Sequence, residues 1–233
     1  MMCSLQYAAA QEAAFVEETA GATVHQQLKM KFIEGGPVFM GVIVLCLALG
    51  LAISIERILY LNLSTVDTRR LLKKVEDALD AGGIEAAKDV CRDTRGPVAS
   101  IFYQGLTRAD EGIEVVEKSV VAYGSVQMSR MESGLSWIQL FIAIAPMLGF
   151  LGTVVGMIDA FDSIQASNDT SPTIVAGGIK TALITTVGGL VVAIILQLFY
   201  NYIVSKIDSL VASMEDASIS LVDILTQRRK NNV

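Results

Sequence analysis

Charge is scarce in this chain, and so is histidine. Charged residues make up 18% of the 233 positions against 52% hydrophobic ones, whereas soluble domains carry about 25% charged residues. With a mean hydropathy of +0.52, this balance excludes an ordinary soluble domain and points to an integral membrane protein. The formal charge of −6 leaves no general basic footprint for nucleic acid. His25 is the only histidine and no ligand types cluster near it, so it reads as a solvated surface residue, not a metal ligand or half of a catalytic dyad. Cys3, Cys46 and Cys91 fall in the N-terminal tail, a hydrophobic run and a polar segment, spaced like neither metal nor redox ligands, and are expected to be unpaired. No acid–base pair, nucleophile–base pair or phosphate loop is legible. The chain is therefore expected to be no enzyme and to need no cofactor and no metal.

What it has instead is long uncharged runs. Leu135 to Ile158 and Thr181 to Val204 each exceed the roughly 20 residues that span a bilayer, and Val38 to Ile55 is long enough with its flanks. The fold class that follows is an all-α membrane protein with three transmembrane helices. Lys and Arg concentrate between Asn62 and Ser133, including Arg69, Arg70, Lys73 and Lys74, while Ile164 to Pro172 holds none. That bias places the former segment inside and the latter outside. Tyr60, Trp137, Tyr200 and Tyr202 fall at the inner boundary, where amphipathic rings are favoured.

The expected organisation runs as follows. Residues 1–23 form a signal remnant and disordered tail, because Ala8-Ala9-Ala10-Gln11 resembles the small-residue end of a secretory signal and the rest is alanine- and glutamate-rich. Residues 24–36 form an outer interfacial helix, with Val24, Leu28, Phe32 and Met30 on the apolar face and Lys29 and Lys31 toward headgroups. The first span is 37–61, an inner helical domain 62–134, the second span 135–163, an outer loop 164–172, the third span 173–204 and an inner C-terminal helix 205–233. Within the inner domain, Leu71, Leu72, Val75 and Leu79 share helical spacing, Gly82-Gly83 breaks it and Gly96-Pro97 starts another helix. Asp110 is expected to cap a helix that runs without interruption into the second span. Ile207, Leu210, Met214, Leu221 and Ile224 carry the third span onward as a projecting, bundle-forming helix.

Two of the spans carry an unusual density of small and hydroxylated residues. Pro146, Gly149, Gly152, Thr153 and Gly156 lie within about four turns of the second span, and Thr185, Thr186, Gly188 and Gly189 answer from the third. Glycines permit close helix approach, and a threonine hydroxyl both donates and accepts, so the pattern serves either tight packing or a water-lined path. No acid lies in these uncharged cores. Hydroxyls guide water but cannot store a proton near neutral pH, so proton transfer here would need a titratable group supplied by a partner.

The string APMLGFLGTVVGM at 145–157 and the string ALITTVGGL at 182–190, with Ser54-Ile55-Glu56-Arg57 closing the first span, resemble the ExbB/TolQ/MotA family of ion-driven motor stators. Three spans and a modest inner insert favour the ExbB and TolQ branch over the four-span MotA. The resemblance implies a subunit of the bacterial inner membrane with its N-terminus in the periplasm and its C-terminus in the cytoplasm. It implies a homo-pentameric ring whose pore holds the spans of two ExbD-like chains, coupling proton entry to a TonB-like protein that energises outer-membrane transport; a TolQ-like role in envelope maintenance is the alternative, and a non-conducting membrane scaffold is a third reading. Besides these proteins, membrane lipids are the expected partners. Carried over by motif, the pore threonines are Thr153 and Thr186, with Thr185 adjacent. Members commonly place a carboxylate five residues before the second of these; here that position is Thr181, which the resemblance adds to the expected proton pathway without supplying an acid.

Lys180 is the one charge in the third hydrophobic region. It either snorkels to the outer interface or pairs with Asp159, because the register that levels Thr153 with Thr186 also levels Asp159 with Lys180.

Overall fold

Uncharged runs of this length satisfy their backbone polar groups in hydrocarbon by forming helices. The computed structural model describes residues 24–167 and 172–231, and its elements among them are all helical. They are α1 (Val24–Glu34), α2 (Pro37–Ser64), α3 (Thr68–Asp93), α4 (Pro97–Thr107), a 3-10 turn (Ala109–Glu111), α5 (Ile113–Glu132), α6 (Leu135–Ser167) and α7 (Pro172–Asn231). Among the described residues, three helical stretches are long and apolar enough to cross a membrane. They fall in α2, α6 and α7. Leu45, Phe150, Leu183 and Leu198 stand exposed on them, as a helix apolar on all sides requires of apolar surroundings. The expected signal remnant, Cys3, and part of the expected outer loop lie outside the described residues. The side chain of His25 does as well.

The chain divides into two units. The first joins the described residues up to Leu49 with Phe141–Ile195. Within it α6 and α7 run antiparallel, Gly189 meeting Ala145, Gly149 meeting Thr186, Gly156 meeting Ala182 and Gly178 meeting Ala160. The turn between α1 and α2 is pressed onto α7, since a Cβ at Gly35 would lie 2.9 Å from Ile184 Cγ2 and 3.0 Å from Met40 Cγ.

The second unit joins Gly50–Leu140 with the described residues from Leu196 onward. Asp67 caps α3, its carboxylate accepting from the Arg70 amide at 3.2 Å. The buried stripe Leu71, Val75, Leu79, Ala87 and Cys91 repeats at multiples of four, so one face of α3 enters the core. The α4 side chains Ile101, Phe102 and Leu106 are buried, and α4 packs tightly because a Cβ at Gly105 would stand 2.8 Å from Val120 and 3.4 Å from Leu221. From α7, Ile203, Ile207, Leu210, Met214, Ala217 and Leu221 are buried at alternating spacings of three and four, the seam of side-by-side helices. Each such buried Leu, Ile or Phe contributes roughly 1.5–3 kcal/mol.

Three local features decide where the helices stop. The Gly82-Gly83 break is present as a kink within α3, with Gly83 at φ 74° and ψ −159°, a region open essentially to glycine alone. Asp110 does not cap α5. It lies in the 3-10 turn, and Gly112 takes the cap position without a side-chain bond, because the turn consumes the residues that would have begun the helix. Nor does α5 run on into α6. The chain turns at Gly134, with φ 85°, and the Arg57 guanidinium fills the gap. A Cβ at Gly134 would sit 3.4 Å from Arg57 Nε, and Arg57 Nη1 donates to the Arg130 carbonyl at 3.4 Å, one of the carbonyls that the end of α5 leaves without a helical partner. Arg57 also pairs with Glu56 at 2.7 Å and lies over the Tyr60 ring, 5.4 Å from its centre.

Candidate functional site

The seam between α6 and α7 is close because glycine faces it from both sides. A Cβ at Gly149 would lie 2.8 Å from the Thr185 carbonyl oxygen and 3.0 Å from Thr186 Cα, and one at Gly152 would lie 2.7 Å from Thr185 Oγ1. At Gly156 it would stand 3.2 Å from the Ala182 Cβ, and Gly189 closes on the Ala145 carbonyl. Gly188 packs elsewhere. Its missing Cβ makes room for Met40 of α2, with Sδ at 3.2 Å. Pro146 sits inside α6 and has no N–H to give the carbonyl one turn back, so the helix carries a gap in its ladder near the seam.

Into this seam project three hydroxyls. Thr185 Oγ1 donates to the Ala182 carbonyl at 2.6 Å, with the Gly149 carbonyl at 3.3 Å. Thr186 Oγ1 lies 3.2 Å from the Gly149 carbonyl. Thr153 Oγ1 lies 3.2 Å from the carbonyls of both Gly149 and Ala182 and is hydrogen-bonded to Thr186 Oγ1 across the two helices. Three hydroxyls thus converge on two backbone carbonyls. Thr185 is fully packed at 2% exposure, while Thr153 and Thr186 are half-buried. The first is a packing group, and the other two keep an open side. Thr181 is half-buried one turn before Thr185 and takes no part in the network. Among the described residues no buried side-chain nitrogen or oxygen lacks a partner, so the seam is polar yet satisfied.

The Asp159–Lys180 pair is not formed. Lys180 Nζ instead contacts Glu34 Oε1 at 3.1 Å, and Glu34 Oε2 takes Lys31 Nζ at 3.0 Å. Register fixes depth but not direction: six residues along a helix of 3.6 per turn is a rotation of about 240°, so a pair level with the threonines faces away from the seam. Asp159 is exposed accordingly. Lys31 and then Lys180, by hydrogen bonding, hold the Glu34 carboxyl below its usual range. Glu34 is the residue that sequence reasoning missed. Its spacing of three from Lys31 at the end of a short helix was the available signal.

Three long apolar helices with a hydroxyl-lined, glycine-closed seam define a polytopic helical membrane protein. A family model described as the MotA/TolQ/ExbB proton channel family matches residues 93–216, which include α6 and the apolar part of α7 though not α2, and the chain belongs to that family. Its relatives include an ExbB homologue of Methanothermobacter thermautotrophicus, 35% identical over 168 residues that make up 71% of this chain and 59% of that protein. An ExbB-like protein of Synechocystis is 30% identical over 66% of this chain and 74% of its own length. The biopolymer transport protein ExbB of Neisseria meningitidis is 28% identical over 76% of this chain and 86% of its own length. The chain thus spans about three-fifths of the archaeal relative.

Proposed function

We propose that this chain is an ExbB-like subunit of a proton-driven motor of the inner membrane, energising transport across the outer membrane. The observation that carries the reading is the half-buried Thr153–Thr186 hydroxyl pair, held on the Gly149 and Ala182 carbonyls in a seam with no acid of its own. Such a pair can order water and meet a carboxyl group from outside, but cannot itself carry charge across hydrocarbon. The titratable group comes from an ExbD-like partner, two spans of which occupy the centre of a ring of five copies of this chain, and the work passes to a TonB-like protein. The exposed apolar faces of α6 and α7, with Phe150, Leu190 and Ile194, serve as contact surfaces in that ring. The N-terminus is placed in the periplasm and the segments 62–134 and 205–233 in the cytoplasm. Each proton crossing 100 mV releases about 2.3 kcal/mol, enough to bias a rotational step.

A second reading, a non-conducting scaffold, has one observation in its favour: every hydroxyl of the seam has a backbone carbonyl within reach. Co-reconstitution with an ExbD-like single-span protein separates the two. A pH-sensitive dye in liposomes should report proton entry that needs both proteins and is lost in Thr153→Val/Thr186→Val; flux unchanged by the double substitution would leave the threonines as packing groups.

A further inference from the structure

The fold has a second feature that ion conduction does not use. Beside α1, in the first unit, a groove of about 770 Å³ lies between α2 and α7. Its floor is Ile43, 1% exposed, and Val192, 5% exposed, with Met40 seated on Gly188. Its rim is Val44, Leu183, Val187 and Val191, all exposed. Only one end is charged, and there Lys31 and Lys180 line the groove together. We propose that this groove is a binding site for one acidic phospholipid, its phosphate held between Lys31 and Lys180 and one acyl chain laid along α7 as far as Val191 and Val192.

Three observations select this occupant. From Lys180 to Val192 the helix advances about 18 Å at 1.5 Å per residue, close to the roughly 15 Å of hydrocarbon in one leaflet. The wall is apolar throughout that length, and the charge is confined to the end where a headgroup would stand. Two ammonium groups also share one carboxylate, Glu34, at 3.0 and 3.1 Å, so the cluster keeps a net positive charge. Each ammonium spends one of its three N–H bonds on Glu34, leaving donors for phosphate oxygens. The side chains of Lys31 and Lys180 are 60% and 57% exposed, which leaves them accessible from the bilayer interface. The site rests on membrane insertion of the three spans and is independent of conduction.

The test is lipid retention by the full chain, released from nanodiscs of equal phosphatidylglycerol and phosphatidylcholine and weighed by native mass spectrometry. One phosphatidylglycerol per chain should be retained in preference to phosphatidylcholine. The preference should fall about five-fold for each lysine removed in Lys31→Gln and Lys180→Gln. Glu34→Gln should move it the other way, since it frees both ammonium groups. Val187→Trp should expel either lipid by filling the groove. Because the two lysines are exposed, their variants should keep wild-type helicity by circular dichroism. An unchanged lipid ratio in Lys31→Gln/Lys180→Gln, a fall in Glu34→Gln, or disulfide capture of Val187→Cys by a second copy in place of lipid retention would overturn the proposal.

Discussion

Gly152 lies so near Thr185 that a Cβ on it would stand 2.7 Å from the threonine hydroxyl oxygen and 2.9 Å from its Cβ. Thr185 is itself held on the Ala182 carbonyl and cannot swing aside cheaply. Gly152→Ala should therefore destabilise the seam by about 1–3 kcal/mol, the usual cost of forcing extra volume into a packed site. Gly177→Ala, where nothing lies within 4 Å, should be neutral or gain up to about 1 kcal/mol from helix propensity. Thermal unfolding in mild detergent compares the two, and equal midpoints would mean that the helices can part.

The three threonines should separate by function. Thr153→Val and Thr186→Val should each slow proton flux about five-fold, the kinetic equivalent of one hydrogen bond worth about 1 kcal/mol, while the double substitution, which removes both hydroxyls of one bonded pair, should abolish it because contacting groups do not act independently. Thr185→Val should cost about 1 kcal/mol of stability with little change in flux, because its hydroxyl is buried at 2% exposure. Flux and unfolding midpoint measured on the same preparations check the split. Loss of conduction in Thr185→Val at normal assembly would place that hydroxyl in the path.

Gly83 should not accept a side chain. At φ 74° and ψ −159°, alanine would carry about 1–3 kcal/mol of backbone strain. Gly83→Ala should lower the denaturation midpoint by a corresponding amount or straighten α3. Wild-type stability with unchanged helicity would show that the kink is not required.

Cys91 should be inert until the fold opens. It is 3% exposed, and burial pushes its thiol from the ordinary 9.0 up to about 12. The unfolded chain then releases this proton more readily than the folded one. The thiol's contribution to stability is complete below pH 9 and declines as pH rises from about 9 toward 12. Alkylation by iodoacetamide at pH 8 should follow global unfolding, and rapid labelling of the native protein would contradict the burial. In Cys91→Ala this alkaline loss should shrink.

The sequence displayed what depends on length and chemistry and concealed what depends on direction. The three apolar helices were legible because a bilayer sets a minimum run, and the Gly83 kink because paired glycines interrupt a four-residue stripe. The break before α6 was not: no proline marks it, and it forms where Gly134 admits Arg57, a residue 77 positions earlier. Asp110 offered a plausible cap, but the 3-10 turn displaced it by two residues. The threonine cluster was visible as composition and its convergence on Gly149 and Ala182 followed from the glycine face. The expected Asp159–Lys180 pair failed because matching depth says nothing of azimuth, and the true partner, Glu34, lies on another helix.

The hydroxyls of Thr153 and Thr186 can each serve as donor to the other. In one setting Thr153 donates to Thr186, which donates to the Gly149 carbonyl; in the reverse, Thr186 donates to Thr153, which donates to the Ala182 carbonyl. Both settings use the same heavy-atom positions. Like proton-disordered ice, the pair has a residual choice of polarity that costs no repacking: both hydrogens are spent in either setting, and rotating them changes only which of the two oxygens keeps the more lone-pair density for its open side.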